Sequence, residues 1–487
     1  MSAASRAFVM VWDGMRPDLI SEELTPSLWG LTQRGVHCVD SHAVFPTVTR
    51  INSASLATGS HPAGHGILGN SLYVPAVDPR QAINMGDHRS LEALAKLRGG
   101  RAVLRESLAD RIGVGGGKTV VVSTGSPGSA WLCHPRMLER AAAGDRLLHP
   151  VLQSPADSLA PVIAKLGSMP GATIPNSAQN AWFTRAIVEY VIPDLDPTLL
   201  VFWHTDPDKS QHHRGFGSPA GMASIRDADT HLGQILAALD ENGDLADTTI
   251  AVASDHGYVT ISPRLEADGP GGPFVSAALR GALADGEIVL ATNGGSLYVS
   301  IPSGDRGLLE QAVAALGAWE HGGPILTKPV DGAPVPGTLP LEAVGIGGEL
   351  APDILCALAW DDEMNQFGLE GRSAGLDTDV LASHGGISSW EINNTLVLAG
   401  AGIKDGLSHQ LPAGNVDLAP TLAELLGVGA LPEADGRVLA EVLEGGPHPR
   451  EVKVSRETLY AELGSKRQGI QLSTVGTTRY LDLGWIE

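Results

Sequence analysis

Phe45-Pro46-Thr47-Val48-Thr49-Arg50-Ile51-Asn52 is the stretch around which the rest of the chain is organised. The small and apolar residues that follow it, from Ser53 to Gly59, predict the start of a helix. A hydroxyl at a loop-to-helix junction lies near unpaired backbone N–H groups and the positive end of the helix dipole. Such a place suits a nucleophile that attacks an anionic phosphorus centre. Taken alone, Thr and Asn here are more typical of helix caps, so the interpretation depends on residues elsewhere.

The composition is that of an acidic globular protein. The 487 residues include 43% apolar residues and 60 glycines, and the formal net charge is −22. This charge disfavours binding to a nucleic-acid polymer, because such binding depends on neutralising phosphates with Lys and Arg. An acidic chain that handles a phosphoester needs local positive charge from another source, and bound metal ions would supply it.

Nothing in the sequence predicts a membrane span or a disulfide framework. No run of about 18 apolar residues occurs, so we expect no transmembrane helix and no membrane partner. The N-terminal residues lead into the short apolar run Ala7–Trp12 without the features of a signal peptide, and we therefore expect a cytoplasmic location. The three cysteines are too widely spaced for a Cys-based zinc site; they are Cys38, Cys133 and Cys356.

Predicted strands and helices alternate along most of the chain. The strands are 6–12, 36–43, 118–123, 198–203, 248–253 and 394–398. The helices are 24–34, 53–59, 90–97, 103–112, 222–242 and 417–426. This alternation predicts an α/β fold whose mostly parallel central sheet is covered by helices on both faces.

Two segments interrupt the alternation, and we predict that both are insertions in a single domain. They span about 72–195 and 260–345, and the second is rich in Gly and Pro. Near the C-terminus, residues 470–474 and 478–483 predict a hairpin on a sheet edge.

Acidic residues follow three of the predicted strands, namely Asp13, Asp208 and Asp255. In a largely parallel sheet, ligands bind at the carboxyl ends of the strands. The three carboxylates are therefore expected at one edge of the sheet, although they are far apart in sequence.

Three histidines complete a set of metal-binding residues. His212 is four residues after Asp208, so one helical turn places both on one side of the backbone. His256 follows Asp255 directly, and a tight turn that Gly257 permits would aim both at one centre. His384 adds a third imidazole. Mixed imidazole and carboxylate ligation suits zinc best, with manganese or iron as alternatives, and six ligands are enough for two ions.

The motifs resemble those of the alkaline phosphatase superfamily, in particular its type I phosphodiesterase/nucleotide pyrophosphatase branch. The matching residues occur in the family's order, at 11–14, 45–52 with 57–59 and 65–67, 208–215, 254–257 and 383–385. Residues 416–421 and 425–427 also resemble the superfamily's closing helix. The resemblance implies an alkaline-phosphatase-like three-layer sandwich.

The resemblance also implies roles for the individual residues. One zinc ion is implied for Asp208, His212 and His384, and a second for Asp13, Asp255, His256 and the Thr49 oxygen. Thr49 is the implied nucleophile, which passes through a phospho-threonine intermediate, and Asn52 is implied to hydrogen-bond a phosphoryl oxygen. From the sequence alone Thr47 competes with Thr49, which we prefer because it precedes Asn52 by one helical turn.

Two positions depart from the family pattern. Gln211 stands where Gly often precedes the second-motif histidine, and His213 is a rival ligand to His212. Arg50 stands where an aromatic residue commonly follows the nucleophile. We expect Arg50 to bind substrate at the rim of the site.

The leading hypothesis is a metal-dependent hydrolase of phosphodiester or pyrophosphate bonds in small, nucleotide-like substrates. A phosphomonoesterase and a phosphonoacetate-hydrolase-like C–P hydrolase remain as alternatives, because Arg50 would favour a more highly charged phosphoryl group. A degenerate relative that only binds metal or nucleotide would be expected to lack a ligand or the nucleophile, and all are present. The sequence does not predict an oligomeric state.

Overall fold

An eight-stranded sheet forms the centre of the molecule in a computed structural model that describes residues 4–269, 271–274, 276–330 and 332–487. In spatial order its strands are Leu407–His409, Gly35–Cys38, Leu396–Gly400, Thr248–Ala253, Arg6–Trp12, Leu199–His204, Thr119–Ser123 and Arg146–Leu148. All pairings are parallel except those of Leu396–Gly400, which runs antiparallel to both neighbours. The predicted mostly parallel α/β sheet is confirmed.

Strand Arg6–Trp12 shows why the sheet needs cover on both faces. Its alternate residues Phe8, Met10 and Trp12 belong to one buried core, and Ala7, Val9 and Val11 belong to the other. Because successive side chains point to opposite faces, a run of apolar residues without alternation is stable only between two layers. The three-layer arrangement follows from this pattern.

Helices form the two outer layers. The first core packs against helices that include Pro26–Gln33, Ser177–Ala186 and Pro219–Glu241. The second packs against helices that include Thr49–Thr58, Leu108–Val114, Pro127–Leu132 and Asn415–Leu425. Further helices are Pro62–His65, His88–Leu97, Met137–Arg140, Ala160–Leu166, Asp208–Arg214, Ala277–Asp285, Arg306–Ala318 and Ser389–Ile392, with a π-helix at Ile187–Leu195.

The segment 72–195 is only partly an insertion, which corrects the prediction. Its strands Thr119–Ser123 and Arg146–Leu148 belong to the main sheet. The fully buried residues Val120 to Val122 require this interior place. The segment also contributes strand Ala82–Asn84, which pairs with Ser71–Tyr73 in a small hairpin.

The second predicted insertion is longer than 260–345, because the strands it needs for pairing come later in the chain. One added sheet has five strands: Val289–Thr292, Ser296–Ser300, Ile354–Leu358, Gly322–Thr327 and Leu339–Pro340. Another has four: Trp360–Met364, Glu370–Gly375, Val259–Arg264 and Ala382–Ser383. The two strands of Ala413–Gly414 and Ser41–His42 form a separate short pair.

The C-terminal hairpin exists, but it is not on an edge of the main sheet. Val454–Leu463, Lys466–Val475 and Thr478–Ile486 form their own antiparallel sheet. Ile470, Leu472 and Leu481 share a core with the five-stranded sheet, which explains this location.

None of the helices in the described ranges is long and apolar enough to cross a membrane. The cytoplasmic location stays a prediction.

Candidate metal centre and nucleophile

The helix that carries the candidate nucleophile begins one turn earlier than predicted. It spans Thr49–Thr58, with Thr49 as its first residue and Val48 in extended conformation before it. The backbone N–H of Asn52 donates to the carbonyl of Val48 at 3.1 Å, which closes the first turn. The sequence indicates this first turn only weakly, because Thr, Ile and Asn have modest helix propensity. The burial of Ile51 compensates for that low propensity. Thr49 therefore lies at the positive end of a helix dipole.

Register within the main sheet brings the strand ends together. Trp12 pairs with His204, and Val11 pairs with Ala253. The chain leaves each strand at the same edge, so Asp13, Asp208 and Asp255 reach one place. We call Asp13, Asp208, Asp255, His212, His256 and His384 the edge cluster.

Asp13, Asp255 and His256 form one half of the edge cluster. His256 Nε2 lies 3.1 Å from Asp255 Oδ2 and 3.6 Å from Asp13 Oδ1. Thr49 Oγ1 lies 3.4 Å from the same His256 nitrogen. Gly257 allows this turn through close approach, because a Cβ there would overlap the carbonyl oxygen of Trp390. The nucleophile predicted from sequence is thus in contact with this half.

Asp208 is the centre of the other half. Its Oδ1 lies 3.1 Å from His212 Nε2 and 3.4 Å from His384 Nε2. Asp208 and His212 are one turn apart on helix Asp208–Arg214, as their spacing predicted. The ring of His384 also stacks on that of His256, with centroids 3.4 Å apart.

All three histidines are held in the same orientation by backbone carbonyls. Nδ1 of His212, His256 and His384 lies 2.8, 3.0 and 2.7 Å from the carbonyl oxygens of Ala382, Gly257 and Thr47, respectively. A carbonyl only accepts, so Nδ1 carries the hydrogen and the Nε2 lone pair is directed into the cluster. This is the outer hydrogen bond that metal-binding histidines usually make.

Three carboxylate oxygens of the cluster are buried without a hydrogen-bond partner in the described part of the chain. They are Asp13 Oδ1, Asp208 Oδ1 and Asp255 Oδ2. Donor atoms of Asp13, Asp255 and His256 all lie within 4.8 Å of one another, as do those of Asp208, His256 and His384. Buried carboxylate oxygens without partners are costly unless a cation binds them. The donor set therefore fits two divalent metal ions.

His212 is outside both of these compact sets and joins the cluster through Asp208. His213, the rival ligand in the sequence, is exposed. Gln211 is buried and its Nε2 donates to the carbonyl of Gly14 at 3.1 Å, so it links the second motif to the first.

The pKa values of the cluster reflect crowded acids. Burial, and then the charges of Asp255 and Asp208, raise the pKa of Asp13 well above its ordinary value. Burial alone would raise the pKa of Asp208, but His212 and His384 hold it below its ordinary value. Burial and the neighbouring His256 lower the pKa of His384 well below its ordinary value. An imidazole that stays neutral is suited to binding metal.

Thr47 is not available as a nucleophile. Its side chain is fully buried, and its hydroxyl donates to the carbonyl of Gly386 and accepts from the N–H of Gly385, both at 2.9 Å. Of the two threonines, it is Thr49 that presents its hydroxyl to the edge cluster. The geometry therefore favours Thr49 over the alternative left open by the sequence.

Asn52 does not face the edge cluster, and its predicted contact with a phosphoryl oxygen is wrong. Its Nδ2 donates to the carbonyls of Val44 and Val48 at 2.9 and 3.2 Å. Its Oδ1 accepts from the N–H of Val44 at 2.8 Å and from Asn415 Nδ2 at 2.9 Å. The carboxamide has two donors and two acceptor positions, and all four are used.

Asn70 is a carboxamide that sequence reasoning missed. Its Oδ1 accepts from the backbone N–H of Arg50 at 3.0 Å, so the side chain lies beside the first turn of the nucleophile helix. Its Nδ2 has no partner among the described residues. The available signal was a polar residue shortly after the turn His65-Gly66-Ile67, whose own residues resemble the family.

Arg50 follows the nucleophile and is influenced by the charges of the edge cluster. It is half-buried, and its Nε is buried without a hydrogen-bond partner among the described residues. Its Nη2 packs against Gly86, where a Cβ would lie 2.5 Å away. Burial lowers the pKa of Arg50, and the charges of Asp13, Asp208 and Asp255 oppose this effect. Arg50 is thus a cation within electrostatic range of the cluster.

The sequence model of one protein family matches residues 7–279, which are more than half of this chain. The family is described as type I phosphodiesterase / nucleotide pyrophosphatase. The matched range contains every residue of the edge cluster except His384.

Individual relatives match over short stretches. The bis(5′-adenosyl)-triphosphatase enpp4 of Xenopus laevis is 32% identical over 89 residues, which are 18% of this chain and 19% of that protein. An uncharacterized pyrophosphatase/phosphodiesterase of Schizosaccharomyces pombe is 35% identical over 80 residues, 16% of each chain. The match thus covers less than a fifth of either relative.

Solved structures show the same fold over most of the chain. Murine ectonucleotide pyrophosphatase/phosphodiesterase 5 has a TM-score of 0.60 at 18% identity, covering 88% of this chain and 96% of that one. An inactive variant of that murine protein, in complex with AMP, has a TM-score of 0.58 at 17% identity, with the same coverage.

Proposed function

Because this chain belongs to the type I phosphodiesterase/nucleotide pyrophosphatase family, we propose that it hydrolyses phosphodiester or pyrophosphate bonds in small, nucleotide-like substrates. The observation that carries this proposal is the position of Thr49. Its hydroxyl lies at a helix N-terminus, 3.4 Å from His256, beside three buried carboxylate oxygens without partners in the described part of the chain.

The residues fit two divalent metal ions, zinc first and manganese or iron as alternatives. One would be held by Asp208, His212 and His384, and the other by Asp13, Asp255 and His256 together with Thr49. Such ions, when bound, make a hydroxyl more acidic and neutralise charge on the phosphoryl group and the leaving oxygen.

The chain's own residues then carry the reaction. Thr49 Oγ attacks phosphorus as its proton passes to solvent, and the bond to the leaving oxygen breaks, which gives a phospho-threonine; the leaving oxygen keeps the electron pair of that bond and takes up a proton from solvent where it needs one. Water hydrolyses this ester, releases the phosphorylated product and restores the hydroxyl. The helix dipole at Thr49 and the Nδ2 of Asn70, which has no partner among the described residues, favour negative charge on the non-bridging oxygens. We assign to Asn70 the contact with a phosphoryl oxygen that was predicted for Asn52, because Asn70 lies beside the first turn of the nucleophile helix.

Substrate binding by Arg50 belongs to this proposal. A guanidinium held against Gly86 near the cluster, with its Nε unpartnered among the described residues, is suited to a phosphate oxygen. This same observation favours a second candidate, a phosphomonoesterase, because a monoester dianion gains more than a diester from a nearby cation. No feature of the described residues favours C–P bond hydrolysis.

A comparison of substrates separates the two candidates. We expect zinc-loaded protein to show a kcat/KM for a chromogenic phosphodiester and for a dinucleotide that exceeds its kcat/KM for the matching monoester. Thr49→Ala should remove turnover of all three, with Thr58→Val as the control for a buried threonine of the same helix. A preference for the monoester would favour the phosphomonoesterase, and a Thr49→Ala protein with near wild-type rates would overturn the proposal.

A further inference from the structure

Thr47 binds the loop that carries His384 through three hydrogen bonds. Its carbonyl accepts from His384 Nδ1 at 2.7 Å. Its hydroxyl accepts from the N–H of Gly385 and donates to the carbonyl of Gly386, both at 2.9 Å. Thr47 is two residues before the nucleophile, so these bonds connect the nucleophile loop directly to one metal-ligand loop.

Asn415 makes an equivalent connection on the other side of the cluster. Its Nδ2 donates to the backbone carbonyl of Asp255 at 2.8 Å and to Asn52 Oδ1 at 2.9 Å. Its Oδ1 accepts from Asn394 Nδ2 at 2.9 Å, and Asn394 also donates to the carbonyl of Ser254. Asn415, Asn394 and Asn52 are all buried.

Asn52 completes the path to the nucleophile. Three of its four hydrogen bonds fix Val44 and Val48, the residue directly before Thr49, and the fourth joins it to Asn415. A continuous chain of carboxamides thus runs from the Asp255 loop to the start of the nucleophile helix. The hydrogen-bonding groups of these carboxamides are occupied by the protein itself, so they act on the site through the backbone.

We propose that Thr47 and Asn415 are positioning residues, each of which fixes one metal-ligand loop to the nucleophile helix. Thr47 acts on the ion held through His384, and Asn415 acts on the ion held through Asp255. The assignment rests on the proposed function. It adds to that function a role for two polar residues near the nucleophile.

Geometry explains why such residues are needed. The nucleophile lies at the start of a helix, directly after the loop 45–48, and ligands come from separate segments at 254–257 and 384–386. A reactive group must be held to within about 0.5 Å of its productive position, and buried hydrogen bonds supply that accuracy where strands end. Loss of such outer-shell partners weakens metal binding by about 10–100-fold in other sites.

Zinc affinity tests the proposal without relying on activity. Thr47→Val keeps the size of the side chain and removes the hydroxyl, and Asn415→Ala removes the carboxamide. We measure the affinities of both zinc ions by competition with a chelator, with His384→Ala and Asp255→Asn marking which affinity belongs to which site. Thr47→Val keeps the bond from His384 Nδ1 to the main-chain carbonyl of residue 47 and loses only the bonds to Gly385 and Gly386. We therefore expect it to weaken the affinity that His384→Ala affects by up to about 10-fold, and Asn415→Ala to weaken the one that Asp255→Asn affects.

Matched controls separate positioning from general stability. Thr58 is similarly buried and lies on the nucleophile helix, but its hydroxyl bonds to the carbonyl of Ala54 at 2.7 Å and to the N–H of Ser60 at 3.3 Å, away from the metal-ligand loops. Thr58→Val should leave both affinities unchanged, and Thr47→Ser should restore them. In addition, excess zinc should recover much of the kcat of Thr47→Val, which a purely structural defect would not allow.

The outcomes distinguish this assignment from the proposed function. Suppose that wild type binds two zinc ions tightly and that both variants keep the same affinities. This result would overturn the assignment and leave the proposed function intact. A wild-type protein that binds no zinc would overturn the proposed function and the assignment together. Should Thr47→Val not fold, Thr47→Ala leaves room for a water beside the Gly385 N–H and is expected to weaken the same affinity.

Discussion

Two buried polar clusters in this molecule differ in how completely their hydrogen bonds are satisfied. The edge cluster contains three carboxylate oxygens without partners in the described part of the chain. The second cluster, which we call the Arg437 network, consists of Asp417, Arg437, Glu441 and Tyr480. Arg437 donates to both carboxylate oxygens of Glu441, and both oxygens of Asp417 accept, from the Arg437 N–H and from Tyr480 and Gly414.

The difference shows how stability and function divide between similar residues. A buried acid that is paired and hydrogen-bonded contributes to a defined fold, and a buried acid left without partners opposes folding. The edge cluster is therefore suited to binding a cation, and the Arg437 network is suited to holding structure. Substitutions in the two clusters should have opposite consequences.

Asp13→Asn should give the largest effect on activity. We expect kcat/KM to fall by about 1,000-fold or more, since one ligand of a two-metal site is lost. The metal-free protein should lose no stability, because Asn keeps an acceptor for Trp203 Nε1, which now donates to Asp13 Oδ2 at 2.9 Å. Chemical denaturation of metal-free protein checks this, and a large loss of stability would contradict the comparison.

Arg437→Met should have the converse effect. Removing the guanidinium leaves Glu441 buried and unpaired, which lowers the free energy of unfolding by about 3–5 kcal/mol. At a temperature where the variant remains folded, kcat and the bound zinc should match wild type. A loss of zinc without a loss of stability would show that the two clusters are not independent.

Arg50→Ala tests whether substrate binding extends from the edge cluster to Arg50. We expect kcat/KM for charged substrates to fall. The decrease should correspond to a loss of about 1–2 kcal/mol of transition-state stabilisation, as for one charge-assisted hydrogen bond. Arg50→Lys should recover part of this loss, and stability should change little. A much larger loss, confined to monoesters that the enzyme already prefers, would favour the phosphomonoesterase.

Acid should destabilise the protein through the buried pair His204 and His231, which belongs to neither cluster. Burial lowers the pKa of His204 to about 4 and that of His231 to about 3, and His204 Nε2 lies 3.1 Å from His231 Nδ1. Both pKa values in the folded protein are below the ordinary value of histidine, so the unfolded protein binds protons first as pH falls. The contribution of the neutral pair to the free energy of unfolding is therefore fully present above about pH 6.5 and is lost as pH falls towards 4. In His231→Gln, the decrease in unfolding free energy from pH 7 to pH 5 should be smaller by about 2 kcal/mol. An unchanged decrease would mean that this pair does not titrate as described.

The edge cluster was predictable from the sequence because its chemistry is tied to strand ends. Asp13 and Asp255 follow buried apolar runs, and the spacing of Asp208 and His212 matches one helical turn. All of them reach the predicted edge. The position of His384 depended on the family resemblance, because the segment before it pairs in an added sheet that no local pattern indicated.

The failures have a common physical cause, which is hydrogen bonding between residues far apart in sequence. Asn52 has the spacing of a catalytic residue, but its partners include Asn415, 363 positions later. In the same way, the sequence could not exclude Thr47 as a competitor of the preferred Thr49, because its bonds to Gly385 and Gly386 join distant segments. Similarly, two strands of the second insertion, Ser296–Ser300 and Gly322–Thr327, pair with Ile354–Leu358 beyond residue 350, which local periodicity does not reveal.

The number of metal ions bound per chain tests the central claim most directly. Metal-free protein is titrated with zinc, freed of weakly bound metal, and assayed by elemental analysis together with Asp13→Asn. We expect two tightly bound zinc ions in wild type and one in Asp13→Asn. Wild-type protein that retains no more than one tightly bound transition metal would contradict it.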